Sequence, residues 1–403
     1  MTSASALWRI LGRSLTALVV VALLPYAWGP IYRFPEPAPF AGARLWNPYG
    51  TTSGQWLRTN LHAHGHAWGG LTSGEQPDAE VAARYRERGY AVAGVSDYHY
   101  IAAQHGVDAL PAYEHGFNVG KVHQLAVGAT GVDWFDFPFW QSRSNQQYVI
   151  NRVKAKASLV ALNHPSSRDA YGPSTLRALT GYDLVEVVNG PFSAEDGWDA
   201  ALSAGRAVWA VANDDTHDLN DTRRAEAGWT MVDSPSADTA AVVDALRTGR
   251  SYAVLRTGPL QGALASRLTS VSTEGDRMTV VLAGAPSTVT FIGQDGAVRQ
   301  TTLDVQQASY TFTPSDTYIR TVVDTPQATL YLNPVLRWDG SQLPAPRATM
   351  NVLATWAQRL AALALVAGVW MLLRRSRLRR CGMVLADLKV RTTTEPSDRT
   401  SPL

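Results

Sequence analysis

Histidine is concentrated in one part of this chain. All nine histidines of the 403-residue sequence lie between His62 and His217. Imidazole is a common metal ligand and the side chain that titrates closest to neutral pH, so such a concentration indicates a metal site or an acid–base site. His66, His105 and His115 are the candidates for an ordinary structural role, and we interpret the others as a ligand set.

Three pairs of ligand-type side chains share a spacing of two residues, each at the end of an apolar run. The pairs are His62 and His64, Asp97 and His99, and Asp215 and His217, and single donors are Glu114, His123 and His164. Residues two apart on a strand point to the same face, so each pair offers two ligands to one point. A mixed imidazole and carboxylate set suits zinc, iron or manganese, and bridged ions would activate a water for attack on an ester.

The histidines belong to a segment in which apolar runs alternate with helical stretches. The apolar runs cover 91–96, 157–162, 184–188 and 207–212, and Pro77–Gly89 is predicted to be a helix because it opens with Pro and acidic residues and ends with Gly. This rhythm predicts an α/β domain over 56–254 with a parallel sheet or barrel, in which the carboxyl ends of the strands converge on one face. Short alternating runs then predict a small all-β sandwich over 255–345.

The ordered motifs resemble the PHP (polymerase and histidinol phosphatase) family of metal-dependent hydrolases. They are NLHAHGH at Asn60–His66, VSDYH at Val95–His99, Glu114, His123, NHP at Asn163–Pro165, EVVNG at Glu186–Gly190 and NDDTHD at Asn213–Asp218. The β-rich segment that follows looks like the subgroup related to carbaryl hydrolase. An amidohydrolase arrangement is the alternative, but that family needs a bridging lysine, and neither Lys121 nor Lys154 nor Lys156 ends an apolar run.

The resemblance implies a distorted seven-stranded α/β barrel that holds two or three divalent metal ions (Zn, Mn or Fe). It implies one ion on His62, His64, Glu114 and Asp215, a second shared by Glu114 with His123 and the Asp97/His99 motif, and a third on His164 and His217. Asp97 and His99 are also the candidate catalytic residues. The family usually has an adjacent Asp-His; here Tyr98 intervenes, so either Asp97 or His99 could be the ligand. An expected ligand after the HxH motif is replaced by Gly69, Gly70 and Leu71, with His66 as a substitute, so a dinuclear site is an alternative.

Substrate contacts are expected beyond the ligand motifs. Arg168 is a candidate clamp for phosphate or oxyanion oxygens because its guanidinium matches them bidentately, and Asn189 is a candidate at its strand end. Arg223 and Arg224 are weaker candidates. These features favour a phosphoesterase acting on a small molecule. A carboxyl or carbamate ester hydrolase at the same site and a non-catalytic metal-binding sensor are the alternatives. With a net charge of +2, nothing in the composition points to nucleic acid.

Both ends of the chain have the character of membrane segments. Residues 1–30 combine Arg9 and Arg13 with an apolar run from Leu15 to Trp28, which we interpret as an uncleaved signal anchor, with a cleaved signal peptide as the alternative. Residues 31–55 form a linker. Residues 350–373 contain a second apolar run, and the tail of 374–403 opens with arginines, which mark the cytoplasmic side. We therefore predict two bilayer-spanning helices, cytoplasmic termini and an extracytoplasmic catalytic domain.

Overall fold

The structure, a computed structural model, is a mixed α/β protein and describes residues 2–71 and 74–393. One compact unit spans Tyr32–Thr349, and the other comprises the terminal segments up to Ile31 and from Met350 onward. The helices are α1 (Thr2–Trp28), α2 (Asp78–Glu87), α3 (Arg143–Lys154), α4 (Pro173–Ala178), α5 (Glu195–Ser203), α6 (Thr239–Arg247), α7 (Leu260–Ala265) and α8 (Val352–Thr393). The strands are β1 (Tyr32–Arg33), β2 (Arg44–Trp46), β3 (Trp56–Asn60), β4 (Val92–Ala93), β5 (Ala112–His115), β6 (Gln124–Ala129), β7 (Ala157–Leu162), β8 (Leu184–Asn189), β9 (Phe192–Ser193), β10 (Trp209–Asn213), β11 (Gly228–Asp233), β12 (Ser251–Arg256), β13 (Arg267–Glu274), β14 (Arg277–Ala283), β15 (Ser287–Ile292), β16 (Val298–Val305), β17 (Gln307–Thr311), β18 (Tyr318–Asp324), β19 (Ala328–Trp338) and β20 (Thr349–Met350).

A six-stranded sheet carries much of the histidine-rich segment. Its order is β10-β8-β7-β6-β5, with β9 paired to β8. Strands β7, β8 and β10 run parallel, whereas β6 is antiparallel to both β5 and β7. The predicted runs at 157–162, 184–188 and 207–212 correspond to β7, β8 and β10, and their residues are almost entirely buried, as expected for strands covered on both faces. The start of β6 therefore lies at the same edge as the ends of its neighbours.

A nine-stranded sheet crosses the predicted boundary at residue 254. Its order is β16-β15-β18-β19-β12-β11-β3-β4, with β2 paired to β19. Strand β12 pairs with β11 on one side and β19 on the other, so the ladder runs from the histidine-rich segment into the β-rich one. The three-stranded sheet β13-β14-β17 accompanies it. The predicted runs of the sandwich form β14, β15, β17, β18 and β19, whereas the sequence analysis did not predict β11, β13 or β16. The division into two domains at this point stays a prediction.

Seven strands surround the motif residues, but their ladders do not close. The sequence of neighbours is β3-β4 in one sheet and β5-β6-β7-β8-β10 in the other. The two sheets meet at isolated bridges, Ala63 with Thr216 and Tyr98 with Glu114. Within residues 2–71 and 74–393 the closed barrel is therefore not formed. The reason is local: Asp215 and His99 have φ values of 46° and 53°, outside the extended region, so the chain leaves strand geometry at both seams.

The terminal helices are long and apolar. Ile10–Trp28 and Val352–Leu372 each have the length and composition to cross a membrane, which by itself is weak evidence for membrane anchoring. Helix α1 contains Pro25, and Gln358 of α8 donates its side-chain amide to the carbonyl oxygens of Tyr26 and Gly29, both at 3.0 Å. These carbonyl groups lie at the C-terminal end of α1, where no further helical turn supplies a donor, so the Gln358 amide provides hydrogen bonds there. The polar tail after Thr392 lies almost wholly outside the described residues.

Candidate metal centre

The ligand-type side chains meet where the two sheets adjoin. His62 and His64 follow β3, His164 follows β7, and Asp215 follows β10. Glu114 lies within β5. His123 immediately precedes β6, and because β6 is antiparallel to β5 and β7, it is delivered to the same edge. Strands of opposite direction thus supply ligands to one place.

The first ligand group consists of His62, His64 and Asp215. Their ligand atoms lie within 4.8 Å of one another. His62 Nε2 is 3.3 Å from His64 Nε2, and Asp215 Oδ1 is 3.4 Å and 3.3 Å from these two nitrogens. The imidazoles of His62 and His64 are buried, so their facing ring nitrogens cannot form hydrogen bonds with bulk water instead. Two nitrogens and a carboxylate oxygen that converge in this way form a cation site.

Glu114 connects the first group to a second. The second group comprises Glu114, His123 and His164, again with ligand atoms within 4.8 Å. Glu114 Oε1 is 2.9 Å from His123 Nδ1 and 3.1 Å from His164 Nε2. The same carboxylate is 3.4 Å from His62 Nε2 through Oε1 and 3.2 Å from His64 Nε2 through Oε2. Its position between the groups is that of a bridging ligand.

Glu186 fixes the orientation of His62. Its Oε1 is 3.0 Å from His62 Nδ1, and because a carboxylate only accepts hydrogen bonds, Nδ1 carries a proton and Nε2 is the nitrogen that faces the cluster. Glu186 Oε1 also accepts from the Asn213 amide at 2.9 Å, and Oε2 accepts from the His164 backbone N–H at 2.7 Å. Glu186 is itself buried, so this network holds both ligand groups in place.

The charges of the cluster favour a bound cation. Burial alone would lower the pKa of His62, but the carboxylates of Asp215, Glu114 and Glu186 raise it well above its usual value. Burial would also lower the pKa of His64, whereas its hydrogen bonds to Asp215 and Glu114 raise it to about 9. Burial would raise the pKa of Glu114, yet the neighbouring His123 and His62 hold it well below its usual range. Buried carboxylates therefore dominate the potential, and either protons or metal ions neutralise it.

The Asp-Tyr-His motif presents its middle residue to the cluster. Tyr98 stacks on His64 with ring centroids 4.9 Å apart and lies edge-on to His123 at 5.4 Å. Burial, together with the charges of Glu114 and Asp215, raises the pKa of Tyr98, so the phenol stays protonated. The prediction that Asp97 and His99 offer two ligands to one point rested on strand alternation. Strand β4 ends at Ala93, however, so alternation does not extend to residues 97–99.

Asp97 and His99 flank the cluster without joining either ligand group. Asp97 Oδ1 accepts from the Gly65 N–H at 2.8 Å and is 3.9 Å from His64 Nδ1, so it lies behind that imidazole. His99 has both ring nitrogens engaged by backbone: Nδ1 lies 3.0 Å from the Asp133 carbonyl oxygen and Nε2 accepts from the Gly116 N–H at 3.0 Å. Burial and the nearby His115 lower the pKa of His99 to about 4.

The other motif residues also fall near the cluster. His217 is close to the first group, with its ring centroid 4.3 Å from that of His64 and its Nδ1 3.2 Å from the Asp215 carbonyl oxygen, but it belongs to neither ligand group. Asn189 donates to Glu186 Oε2 at 2.9 Å and to Asp215 Oδ2 at 3.2 Å, which positions two carboxylates. Arg168 is exposed and donates to the Val119 carbonyl oxygen at 2.8 Å.

A cavity of about 370 Å³ opens onto both ligand groups. Its lining includes His123, His164, Asp215 and His217, and two cations that the sequence analysis ranked low or passed over, Arg224 and Lys121. Arg224 is held by Asn189 Oδ1 at 3.5 Å and by the Asp214 carbonyl oxygen at 3.4 Å. The cavity thus combines a ligand cluster with two positive side chains, a composition that suits an anionic substrate.

Sequence reasoning missed residues whose role depends on neighbours distant in the chain. Glu186, Asn163, Asn213, Tyr98 and Lys121 all contact the cluster or its cavity. A signal existed for Glu186, which is a charged residue inside an otherwise apolar strand. Buried ionisable residues in strands generally have a partner. No comparable signal marked Lys121, which lies in a loop with a φ of 57°.

Comparisons with known proteins place the chain far from characterised sequences. No protein-family model and no curated protein matches it. Among solved structures, it is similar to a two-domain protein from Bacteroides vulgatus that is described as containing a predicted PHP-like metal-dependent phosphoesterase. The two share 12% sequence identity with a TM-score of 0.41, over 75% of this chain and 92% of that chain. This similarity is below the level at which two folds are regarded as the same.

Proposed function

We propose that this chain is a metal-dependent phosphoesterase, anchored in the membrane, whose two ligand groups hold two divalent ions bridged by Glu114. The observation that carries the proposal is the convergence of His62, His64 and Asp215 on one side of Glu114, and of His123 and His164 on the other. The motif order along the chain, which resembles the PHP family, agrees with it. Zinc, manganese and iron all accept such a mixed ligand set.

The residues present fit a pair of metal ions. His62 and His64 face each other through ring nitrogens 3.3 Å apart, and carboxylate oxygens of Asp215 and Glu114 lie between 3.2 and 3.4 Å from these nitrogens. Divalent ions bound there supply Lewis acidity toward an ester oxygen and lower the pKa of a coordinated water. The chain's own contribution is to orient these ligands and to shield them from bulk solvent.

The phosphoester is favoured over a carboxyl or carbamate ester by the cavity's cations. Lys121 and Arg224 line the same cavity as the ligand groups, and a phosphoester carries negative charge that both can contact. A neutral ester offers these side chains only a carbonyl oxygen. Arg168, which points to the Val119 carbonyl, would have to change its rotamer to take part, and Asn189 would act by positioning Asp215.

The proposal assigns separate roles to the protonated and ionised groups around the cluster. Asp97 supports His64 from behind, since it lies on the side of Nδ1 while Nε2 faces the ligands. The Tyr98 phenol can donate a proton or hydrogen bond to a substrate oxygen because it remains neutral beside Glu114. His217 borders the cavity with a pKa lowered by burial and by His64 to about 4, so it is available as a neutral acceptor.

The membrane part of the proposal rests on the terminal helices. Ile10–Trp28 and Val352–Leu372 span the bilayer, the arginines that follow the second helix stay in the cytoplasm, and the catalytic unit faces outward. The substrate would then be an extracytoplasmic small molecule.

The test is elemental analysis of the purified full-length chain together with ester turnover. Wild type should carry about two equivalents of Zn, Mn or Fe, and should hydrolyse p-nitrophenyl phosphate faster than p-nitrophenyl acetate. The double variant His62→Ala/His64→Ala should lose metal and turnover together. Bound metal with turnover of the acetate alone would contradict the phosphoesterase, and absence of metal from wild type would contradict the metal centre.

A histidine outside the cluster provides the matched control. His105 is exposed and stacks on Tyr100 with ring centroids 4.4 Å apart. His105→Ala should retain the wild-type metal content and activity. Loss of metal in this variant as well would show that the double variant acts through general destabilisation.

A further inference from the structure

A second cavity, of about 560 Å³, adjoins the ligand-lined cavity and has a different character. Its walls are formed by Trp68, Phe117 and Trp134. These three side chains are 44%, 55% and 58% exposed, respectively, although each offers a large apolar face. Exposed aromatic groups that cluster beside a polar site commonly mark a binding surface.

The aromatic walls are held in place rather than free to rotate. The indole N–H of Trp68 donates to the Tyr98 carbonyl oxygen at 2.9 Å, and its ring meets that of Trp134 edge-on at 5.7 Å. Trp134 stacks on His99 with centroids 5.1 Å apart and an interplanar angle of 16°. Phe117 contacts the same imidazole at 5.6 Å. Fixed walls lose little conformational entropy when a ligand binds.

The His99 imidazole supports the aromatic side chains of Trp134 and Phe117. Its ring is fixed by the Asp133 carbonyl and by the Gly116 N–H, and it is buried. The backbone at His99 has a φ of 53°, and that at Trp68 a φ of 54°. Positive φ at two non-glycine residues costs conformational energy, and such strain is concentrated at functional sites. This strain therefore indicates that the aromatic side chains contribute to function as well as to packing.

The two cavities adjoin, since Tyr98, Lys121 and His123 line both of them. Lys121 Nζ lies 5.7 Å from the centre of the Tyr98 ring, so a positively charged side chain belongs to the shared lining. A molecule with an anionic group at the ligand cluster would extend its remaining part along the aromatic walls.

We propose that the second cavity is a substrate subsite for a planar apolar group, so that the chain acts on phosphoesters whose organic part carries an aromatic ring system. This inference rests on the proposed function and specifies the substrate class. Trp134 is a specificity-determining residue in it: removal of the indole exposes the bound apolar group to water without touching the metal ligands.

The test compares two esters that differ only in apolar size. Phenyl phosphate and biphenyl-4-yl phosphate have leaving groups of similar basicity, and their non-hydrolysable phosphonates allow binding to be measured without turnover. The full-length protein in nanodiscs, with empty discs as a blank, should prefer the biphenyl ester about tenfold in kcat/KM, mainly through KM, and should bind the biphenyl phosphonate more tightly by a similar factor. Trp134→Ala should bring both ratios close to one.

Trp140→Ala is the control, because Trp140 is also exposed but is not a lining residue of this cavity. It should keep the wild-type preference. Turnover of both esters without a preference would overturn the subsite while leaving the phosphoesterase intact. A phosphonate preference that Trp134→Ala removes, without turnover of any phosphoester, would support the subsite and overturn the activity. If Trp134→Ala only converts a dimer to a monomer by mass photometry, the aromatic face is a contact between two copies and the proposal is wrong.

Discussion

At the scale of single residues, the site depends on imidazoles whose second nitrogen is held by a partner. Glu186 fixes His62 through Nδ1, which leaves Nε2 for the cluster. His99 is the contrasting case, since backbone groups engage both of its nitrogens and no lone pair remains for a metal. The same residue type is therefore a candidate ligand at one position and an aromatic support at the other.

Glu186→Gln should weaken metal binding without removing a ligand. The amide keeps the size of the side chain but loses the charge, and its NH₂ group would face donors such as the Asn213 amide and the His164 N–H. We expect a roughly 10- to 100-fold loss of metal affinity, measured by competition with a chelator. Glu87→Gln, at the exposed end of α2, is the matched control and should bind metal as wild type does. Equal affinities for both variants would contradict the role of Glu186.

The neutral pair His99 and His115 should make the free energy of unfolding decrease as the pH becomes acidic. Burial lowers the pKa of each to about 4, with a further contribution from His115 at His99 and from His123 at His115. An unfolded histidine has a pKa of about 6.5, so between these values the unfolded chain binds more protons and stability falls as the pH decreases. For each histidine, the free energy of unfolding is on the order of 3 kcal/mol higher above about pH 6.5 than at pH values below the folded-state pKa.

The measurement compares thermal unfolding of wild type and His115→Gln between pH 7 and pH 4.5. The glutamine cannot be protonated, so the stability advantage of wild type should shrink as the pH falls. A difference that stays constant over this range would show that His115 is not a neutral buried group.

At the scale of elements, one buried ion pair joins the strand-rich part to the helix that follows β9. Arg320 of β18 donates from Nε and from a terminal nitrogen to the two carboxylate oxygens of Asp199 in α5, both at 2.7 Å, and contacts Glu195 at 2.8 Å. Its side chain is 2% exposed. The contact crosses the predicted boundary at residue 254, as does the nine-stranded sheet. Packing on both sides of that boundary therefore depends on these residues.

Arg320→Met should destabilise the Tyr32–Thr349 unit strongly. It leaves the buried Asp199 carboxylate without its partner, which typically costs about 3–5 kcal/mol. Arg223→Met is the control, because Arg223 is 87% exposed in its pair with Asp221 and its replacement should leave the stability close to that of wild type. Thermal unfolding followed by tryptophan fluorescence measures both. The double variant Arg320→Met/Asp199→Leu should recover part of the loss, and failure to recover any would point to a packing defect instead.

At the scale of the whole molecule, the terminal helices raise the question of which side of the membrane each part occupies. Leu360, Leu363 and Val366 of α8 expose their apolar side chains, as expected for helices that meet lipid rather than a protein core. The chain's single cysteine, Cys381, belongs to the tail that we predict to be cytoplasmic.

Thiol labelling in intact cells tests this topology. An impermeant maleimide should not label Cys381 until the cells are permeabilised. In a Cys381→Ser background, Ser272→Cys on the exposed face of β13 should be labelled without permeabilisation. Labelling of Cys381 in intact cells, or protection of the residue 272 thiol, would invert the proposed orientation.

The sequence by itself determined the ligand types and most of the strands that carry them. Local pattern was sufficient here, because runs such as β7 and β8 are mostly apolar, and the helix after Pro77 has both of its end signals. Six of the predicted ligands, His62, His64, Glu114, His123, His164 and Asp215, form the two ligand groups. Their convergence follows from strand ends that share one edge.

Only the tertiary structure decided how these ligands are grouped and what the remaining motif residues do. His164 lies with Glu114 and His123 rather than with His217, because antiparallel β6 brings His123 beside the end of β7. Tyr98 stacks on His64, and Asp97 and His99 lie beside the cluster, because the chain has left strand geometry after β4, where a spacing of two no longer fixes direction. Pairing between distant segments and backbone conformation in loops depend on the packed chain, so no local pattern could have shown them.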